Sequence, residues 1–431
     1  MPRERSDLRQ QGSADLPLAR LRAVVFTQAV AGAFTTKLLA DMGAEVIQIE
    51  SLTRPDPIRG GFPPELTGTY PDNLPGERPY NRNANFNSLN TNKLGITLDL
   101  RHQEAKDIFL DLVRASDIVA ENFAARVMPN FGLDYEDLRE VNPSVIMLRM
   151  PAFGCYGPYS LYMGNGGTTE PMSGISSLLG YAGGPPINSG VTHTDPTAGL
   201  FGFASLLIAI HHRNRTGEGQ LIDLSHQETS IHLIAGQVME FAMTGEPPTR
   251  QGNRNRRMAP HGNFPCQGDD SWIAIAVRSN EEWRRLAAII GDEVLADPRF
   301  TDLSGRLEHV EKLEGIVARW TSVRDADSIT IQLQTEGIPC APVLKTRELV
   351  ENPQLVARGY FETVDHPDTG TYLHPGTPWR LSGMPYHTRT PAPGIGQHSI
   401  QVLSDLLGLS IAEIDGLVKR GITGDTPYQD S

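Results

Sequence analysis

Residues 23–49 read AVVFTQAVAGAFTTKLLADMGAEVIQI. An apolar run over 23–26 is followed by apolar positions at helical spacing over 31–42, a stop at Gly43 and a second apolar run over 45–49. Strand, helix and strand in so short a span predict a βαβ unit with parallel strands and a right-handed crossover. The turn between the first strand and the helix reads TQAVAG and carries no GxGxxG. A nicotinamide or flavin cofactor is therefore not expected.

The same alternation resumes downstream. Strands are predicted over 95–100, 117–120 and 145–149, with helices over 103–115 and 135–141. Strand–helix repetition at these lengths predicts an α/β fold with a doubly wound parallel sheet. Ligands of such sheets bind beyond the carboxyl ends of the strands. Glu121, Asn122 and Phe123 stand at one such end. Asn122 can hydrogen-bond a ligand amide and Phe123 can stack on a base; a simple turn capped by Asn122 is the plainer alternative. Residues 51–87, rich in proline and without periodicity, are expected to form a lid or an oligomer arm.

Residues 188–225 read as loop, acidic turn, long apolar helix, basic exit and strand. Pro196 suits a first helical position, Arg213 and Arg215 a last turn, and Gly217 a stop. The helix is apolar nearly all round and is expected to be buried. Asp195 then has two readings: an N-cap accepting backbone N–H bonds, or a carboxylate held at a helix start for chemistry. A glycine-rich stretch over 154–190 leads into it and leaves backbone N–H groups free to serve as oxyanion donors. Four arginines, Arg250, Arg254, Arg256 and Arg257, mark a basic connector, and either a phosphate contact or a solvated linker accounts for them. A smaller α+β domain follows, with a strand over 271–277 and helices over 280–290, 307–320 and 328–336. The expected organisation is a disordered leader over 1–20, a large domain beginning over 21–225, a linker and small domain over 226–340, and a return segment over 341–431 completing the large domain.

With a net charge of −13, the chain lacks the basic surface that nucleic acid demands. Three widely separated cysteines point to a reducing cytoplasm, and no cysteine or histidine spacing suggests a metal site. The longest apolar run, 200–210, is too short to span a bilayer, so no membrane partner is expected. GxxxxGK[ST] and GxSxG are both missing. What remains is a carboxylate at a helix start, and a carboxylate can attack an activated acyl group.

Several motifs, in order, resemble the class III CoA-transferase family, the group of formyl-CoA transferase and carnitine CoA-transferase. They are LLADMGAEVIQIE (38–50), LNTNKLGITLDLR (89–101), ASDIVAENF (115–123), GLDYEDLREVNPSVI (132–146), FGCYGPYS (153–160), DPTAG (195–199) and RTGEGQLIDLS (215–225). APHGNFPCQGDDSWIAIAV (259–277), GIPCAPV (337–343) and GQHSIQVLSDLLGL (396–409) continue the likeness. The resemblance implies a Rossmann-like large domain built from both chain ends, a small domain, and a homodimer of interlocked rings. It implies that Asp195 attacks an acyl-CoA thioester and passes CoA, through covalent aspartyl intermediates, to an acceptor carboxylic acid. Coenzyme A is then a substrate, with no tightly bound cofactor. Family positions beside CoA match Leu98, Arg101, Asn122 and Phe123, and Val30 and Arg126 are counted with them as candidate CoA-binding residues. Val30 stands where formyl-CoA transferase has a glutamine, and Ser51 and Asn130 stand where arginines are common. Arg54, Arg126 or the 254–257 cluster are the substitutes expected at the CoA phosphates. α-Methylacyl-CoA racemases of the same superfamily relay a proton through a His-Asp pair; Asn165 and Gly166 occupy those positions here. A non-catalytic acyl-CoA-binding protein is a third reading, disfavoured by Asp195.

Overall fold

The computed structural model describes residues 15–60, 68–384 and 386–428. Among these, residues within Met1–Ile175, Asn188–Met239 and Ala357–Ser431 form one unit, and those within Ser176–Ile187 and Glu240–Val356 a second. Much of the predicted 1–20 leader lies outside the described residues, but Leu18 and Ala19 are buried. The Leu18 N–H donates to the Met42 carbonyl at 2.9 Å.

In the first unit, β1 (Arg22–Phe26), β2 (Glu45–Glu50), β3 (Lys93–Thr97), β4 (Ile118–Glu121), β5 (Ile146–Arg149) and β6 (Gln220–Asp223) make one sheet. Their order is β3-β2-β1-β4-β5-β6, every neighbouring pair being parallel. This is the doubly wound arrangement, with the switch in direction between β1 and β4. Strands buried on both faces read as unbroken apolar runs, which is why RAVVF and IMLR show no alternation. On one face Val24, Ile47 and Val119 pack with Phe109 and Leu112 of the helix Gln103–Arg114 and with Ile414 and Leu417 of the helix Ile411–Lys419. On the other, Val25, Val46 and Leu148 pack with Leu39 of the helix Ala31–Asp41 and Leu206 of the helix Thr194–Thr216. The free edge of β3 is covered by the chain's return. Gly95 N–H donates to His398 Nδ1 at 3.0 Å, Thr97 N–H to Ser399 Oγ at 3.2 Å, and Asp99 N–H to the Ile422 carbonyl at 2.9 Å.

Three expectations change. β3 runs over Lys93–Thr97 rather than 95–100, because the chain turns off the sheet at Asp99, whose carboxylate accepts the Arg101 N–H at 3.0 Å. Among the described residues, the 51–87 stretch is ordered by short helical turns at Pro57–Arg59, Pro71–Asn73 and Pro79–Asn81 and by the helix Ala84–Leu89. Arg59, fully buried, pins it by donating to Glu50 (2.6 Å) and to the carbonyls of Tyr80 (2.8 Å) and Pro393 (3.1 Å). The helix Thr194–Thr216 is buried on one face only; Leu200, Phe201, Leu207 and Ile208 are exposed, the last at 70%. It packs against the sheet and the helices Ala31–Asp41 and His226–Ile231, and on its outer side Phe201 stacks on the His232 ring at 5.3 Å while Ile208 stays exposed.

β10 (Phe361–His366) and β11 (Gly370–Pro375) form an antiparallel hairpin across the turn HPDTG. The second unit contains an antiparallel sheet of β7 (His261–Pro265), β8 (Trp272–Ala276) and β9 (Cys340–Pro342). The helix Asn280–Ile290 lays Trp283 and Leu286 on its core; Ser279 Oγ accepts the Glu282 N–H at its start, and Gly291 in a left-handed conformation ends it. Helices Val310–Thr321 and Ala326–Thr335 complete that core with Leu313, Val317 and Ile329.

Candidate active site

The loops that follow the parallel strands leave the sheet at one edge of the first unit, the carboxyl ends of its strands. The loop after β1 is clamped from two sides. Asn122, one residue past β4, accepts the Gln28 N–H at 2.8 Å and donates Nδ2–H to the Gln28 carbonyl at 2.9 Å. Asp56 accepts the Ala29 N–H at 2.9 Å. These bonds hold Ala29 at φ 53°, a left-handed conformation that an alanine adopts only at a cost. Side chains from outside the turn thus replace the missing glycines. Asp56 is buried, and its pKa is raised to about 7, by burial first and by Glu50 next. Phe123 is fixed in turn. Its N–H donates to Glu121 at 2.7 Å, and Arg149 Nε donates to the other Glu121 oxygen at 2.9 Å.

A cavity of about 530 Å³ opens at this edge, over the switch between β1 and β4. Leu98, Arg101 and Phe123 line it, with Gln28, Arg54 and Phe131. Asn122 stands behind its wall through Gln28. Val30 and Arg126 are not on the lining: Val30 precedes the helix Ala31–Asp41, and Arg126 is exposed ahead of the turn Val127–Phe131. Arg101 turns part of its charge on Asp99, donating from Nη2 at 2.7 Å. Arg254 and Arg256, in the second unit, pair with Glu314 (2.9 Å) and Glu240 (2.6 Å). Their charge is spent on carboxylates of their own chain.

Asp195 lies apart from that lining, at the start of the helix Thr194–Thr216. The capping reading is corrected here. His193 holds the cap position, so Asp195 is the second helical residue, and its Oδ1 is buried without a hydrogen-bond partner. The side chain is 13% exposed, and no Lys or Arg among the described residues pairs with it. Burial raises its pKa to about 6. Gly166, the first residue of the short helix Gly166–Met172, is what admits it, since a Cβ there would fall 2.7 Å from Oδ1.

Two further residues, not singled out from the sequence, complete the surroundings. His226 follows β6, with Nδ1 3.9 Å from Asp195 Oδ1. Its ring is buried, neither nitrogen completes a hydrogen bond of good geometry, and burial lowers its pKa to about 4 against the opposing effect of the Met150 backbone. The available signal was its place three residues beyond β6, at the carboxyl edge of the sheet. Glu170 is buried and accepts from Ser189 N–H (2.7 Å) and Ser189 Oγ–H (2.6 Å), with His193 Nδ1 3.0 Å from the same hydroxyl. It ties the loop entering the Asp195 helix to the helix carrying Gly166. A carboxylate that is partly accessible, free of cations and raised toward neutrality can be ionised near pH 7 and still be reactive toward an acyl carbon.

The first unit thus carries a cavity at the switch point of a parallel α/β sheet and, apart from its lining, a carboxylate oxygen buried without a hydrogen-bond partner. Residues 18–399 match the model of CoA-transferase family III, and the chain belongs to that family. It is 33% identical to a succinyl-CoA–D-citramalate CoA-transferase of Chloroflexus aurantiacus, covering 91% of this chain and 95% of that protein. It is 31% identical to a succinate–glutarate CoA-transferase of Agrobacterium fabrum, over 90% and 96% of the two chains. Among solved structures, a CaiB/BaiF family protein from Brucella suis superposes with a TM-score of 0.81 at 29% identity, over 91% of this chain and 99% of that one. The chain is a CoA-transferase.

Proposed function

We propose that the chain moves CoA from an acyl-CoA to a free carboxylic acid with Asp195 as the covalent relay, and that succinyl-CoA is among its donors. The observation that carries this reading is the Asp195 carboxylate itself: largely shielded, with Oδ1 buried, no Lys or Arg among the described residues paired with it, and packed against a glycine. Ion pairing would quench a nucleophile there; burial without pairing raises its energy.

In this mechanism an Asp195 oxygen attacks the thioester carbon, the C–S bond breaks and CoA thiolate leaves a mixed anhydride. The thiolate attacks Cγ of Asp195; the Cγ–O bond breaks and the donor acid departs, leaving an aspartyl-CoA thioester. The acceptor carboxylate displaces the thiolate from Cγ, and the thiolate then attacks the acceptor's acyl carbon, restoring Asp195. No net proton is transferred, so the cycle needs neither general base nor metal nor resident cofactor. The 530 Å³ cavity is the proposed seat of CoA, with Arg54 and Arg101 toward its phosphates and Phe123 toward its base. Val30 and Arg126, off the lining, act on CoA only indirectly in this reading. The exposed apolar face of the helix Thr194–Thr216 fits a homodimer interface. Three free cysteines fit a cytoplasmic site of action.

The test is a screen of donors, succinyl-CoA and acetyl-CoA first, against a panel of carboxylates, followed by hydroxylamine trapping. Hydroxamate is expected on Asp195, and Asp195→Ala is expected to be folded and inactive. Full transfer by Asp195→Ala with any acid pair would remove the relay from this residue. Exchange of a donor's α-proton with solvent, with no acceptor required, would point to racemase chemistry instead.

A further inference from the structure

His226 is a buried imidazole whose nitrogens complete no hydrogen bond of good geometry; the Met150 backbone beside it acts as an acceptor, and Oδ1 of Asp195, an unpartnered carboxylate oxygen, stands 3.9 Å from Nδ1. A buried donor and a buried acceptor, neither in a well-formed hydrogen bond and facing each other, are costly unless they are used. The 3.9 Å between them is roughly 1 Å beyond a hydrogen bond, a gap that a small side-chain rotation closes. Since the cycle transfers no net proton, the ring is not needed as a base.

We propose that His226 is a positioning residue that selects which Asp195 oxygen reacts: its neutral ring donates Nδ1–H to Oδ1 and leaves Oδ2 to attack. This rests on Asp195 being the nucleophile. When Cγ becomes an anhydride and then a thioester, Oδ1 is its carbonyl oxygen, and the same N–H stabilises the charge that gathers there in each tetrahedral state. Burial keeps the ring neutral and therefore keeps it a single donor rather than a counter-ion.

The proposal has an isotopic consequence. In each cycle one Asp195 oxygen leaves with the donor acid and one arrives from the acceptor. If Oδ1 is pinned, only the Oδ2 position ever exchanges. The enzyme is run with an acyl-CoA and acid pair it turns over, succinyl-CoA with succinate carrying heavy oxygen in both carboxylates being the first choice. The Asp195 peptide is then weighed after many turnovers. Wild type is expected to carry one heavy oxygen, and His226→Leu two, with kcat down about 10- to 100-fold and KM for the donor nearly unchanged. His226→Gln, which keeps a neutral donor, is expected to restore the single label and part of kcat. Two heavy oxygens in the wild type, or one in both wild type and His226→Leu, would overturn the proposal. Should His226→Leu fail to fold, the wild type and His226→Gln decide: two labels in the wild type overturn it, and one label in both with kcat within tenfold supports it. No label at all during measured turnover would instead mean that Asp195 is not the nucleophile.

Discussion

The Asp195 carboxyl group packs so closely on Gly166 that a single added methyl group would lie 2.7 Å from Oδ1 and 2.9 Å from Cγ. Gly166 begins a helix and its backbone tolerates a side chain, so Gly166→Ala has no reason to unfold the chain. The methyl group can be accommodated only by turning the carboxylate aside. A misplacement of about 1 Å at a reacting group costs on the order of 100-fold. Steady-state kinetics of Gly166→Ala are expected to show kcat down by about that factor, with far-UV circular dichroism unchanged.

The pH dependence follows from the ionised form being the reactive one. Burial raises Asp195 to about 6, so the fraction ionised falls as pH drops through that value. kcat/KM is expected to fall about tenfold per pH unit below pH 6 and to be level from 7 to 8. A profile flat down to pH 4.5 would show that the reacting group is not a carboxylate in this setting.

The same burial carries a stability cost. The folded chain holds the Asp195 proton up to about pH 6, whereas the unfolded chain releases it near the ordinary 3.8. The fold therefore binds more protons between those values, and stability falls as pH rises through that window and stays lower above it. Asp195→Asn removes the charge at nearly constant shape. It is expected to be about 1–3 kcal/mol more stable than wild type at pH 8 and equal to it near pH 4, as read by urea titration.

Asn122 holds Gln28, which lines the cavity proposed for CoA, and does not itself line it. Asn122→Ala leaves the Gln28 N–H and carbonyl to water or to nothing, costing roughly 1–2 kcal/mol of stability. The loop after β1 is then free to leave its left-handed turn at Ala29. KM for acyl-CoA is expected to rise about tenfold with kcat within twofold, since the Asp195 side of the site is untouched.

The sheet was legible because strands buried on both faces announce themselves as apolar runs, and RAVVF and EVIQI leave no other reading. Asp195 drew attention only with its neighbours: alone, a carboxylate before Pro196 is a good cap, and a helix beginning two residues earlier, at Thr194, was enough to undo that reading. His226 and Glu170 were not legible, because their meaning lies in what they face across the fold, and a lone histidine or glutamate carries no spacing signal. Val30 and Arg126 show the converse. Val30 was placed by its alignment with a family glutamine and Arg126 as a stand-in for absent arginines, and neither stands on the cavity lining. The outer face of the Asp195 helix was misjudged for a related reason, since apolarity says that a surface is covered but not by what.

The seal along β3 has a consequence for how the chain is made. Gly95 and His398, joined by a hydrogen bond, are 303 residues apart. At about 5–20 residues per second, β3 emerges from a ribosome roughly 15–60 s before the strip that closes its edge. Through that interval the sheet's outer strand presents unpaired amides to any passing chain. A message that ends before residue 398 would leave that edge open permanently, so a truncated product is expected to aggregate rather than to persist as a half-enzyme.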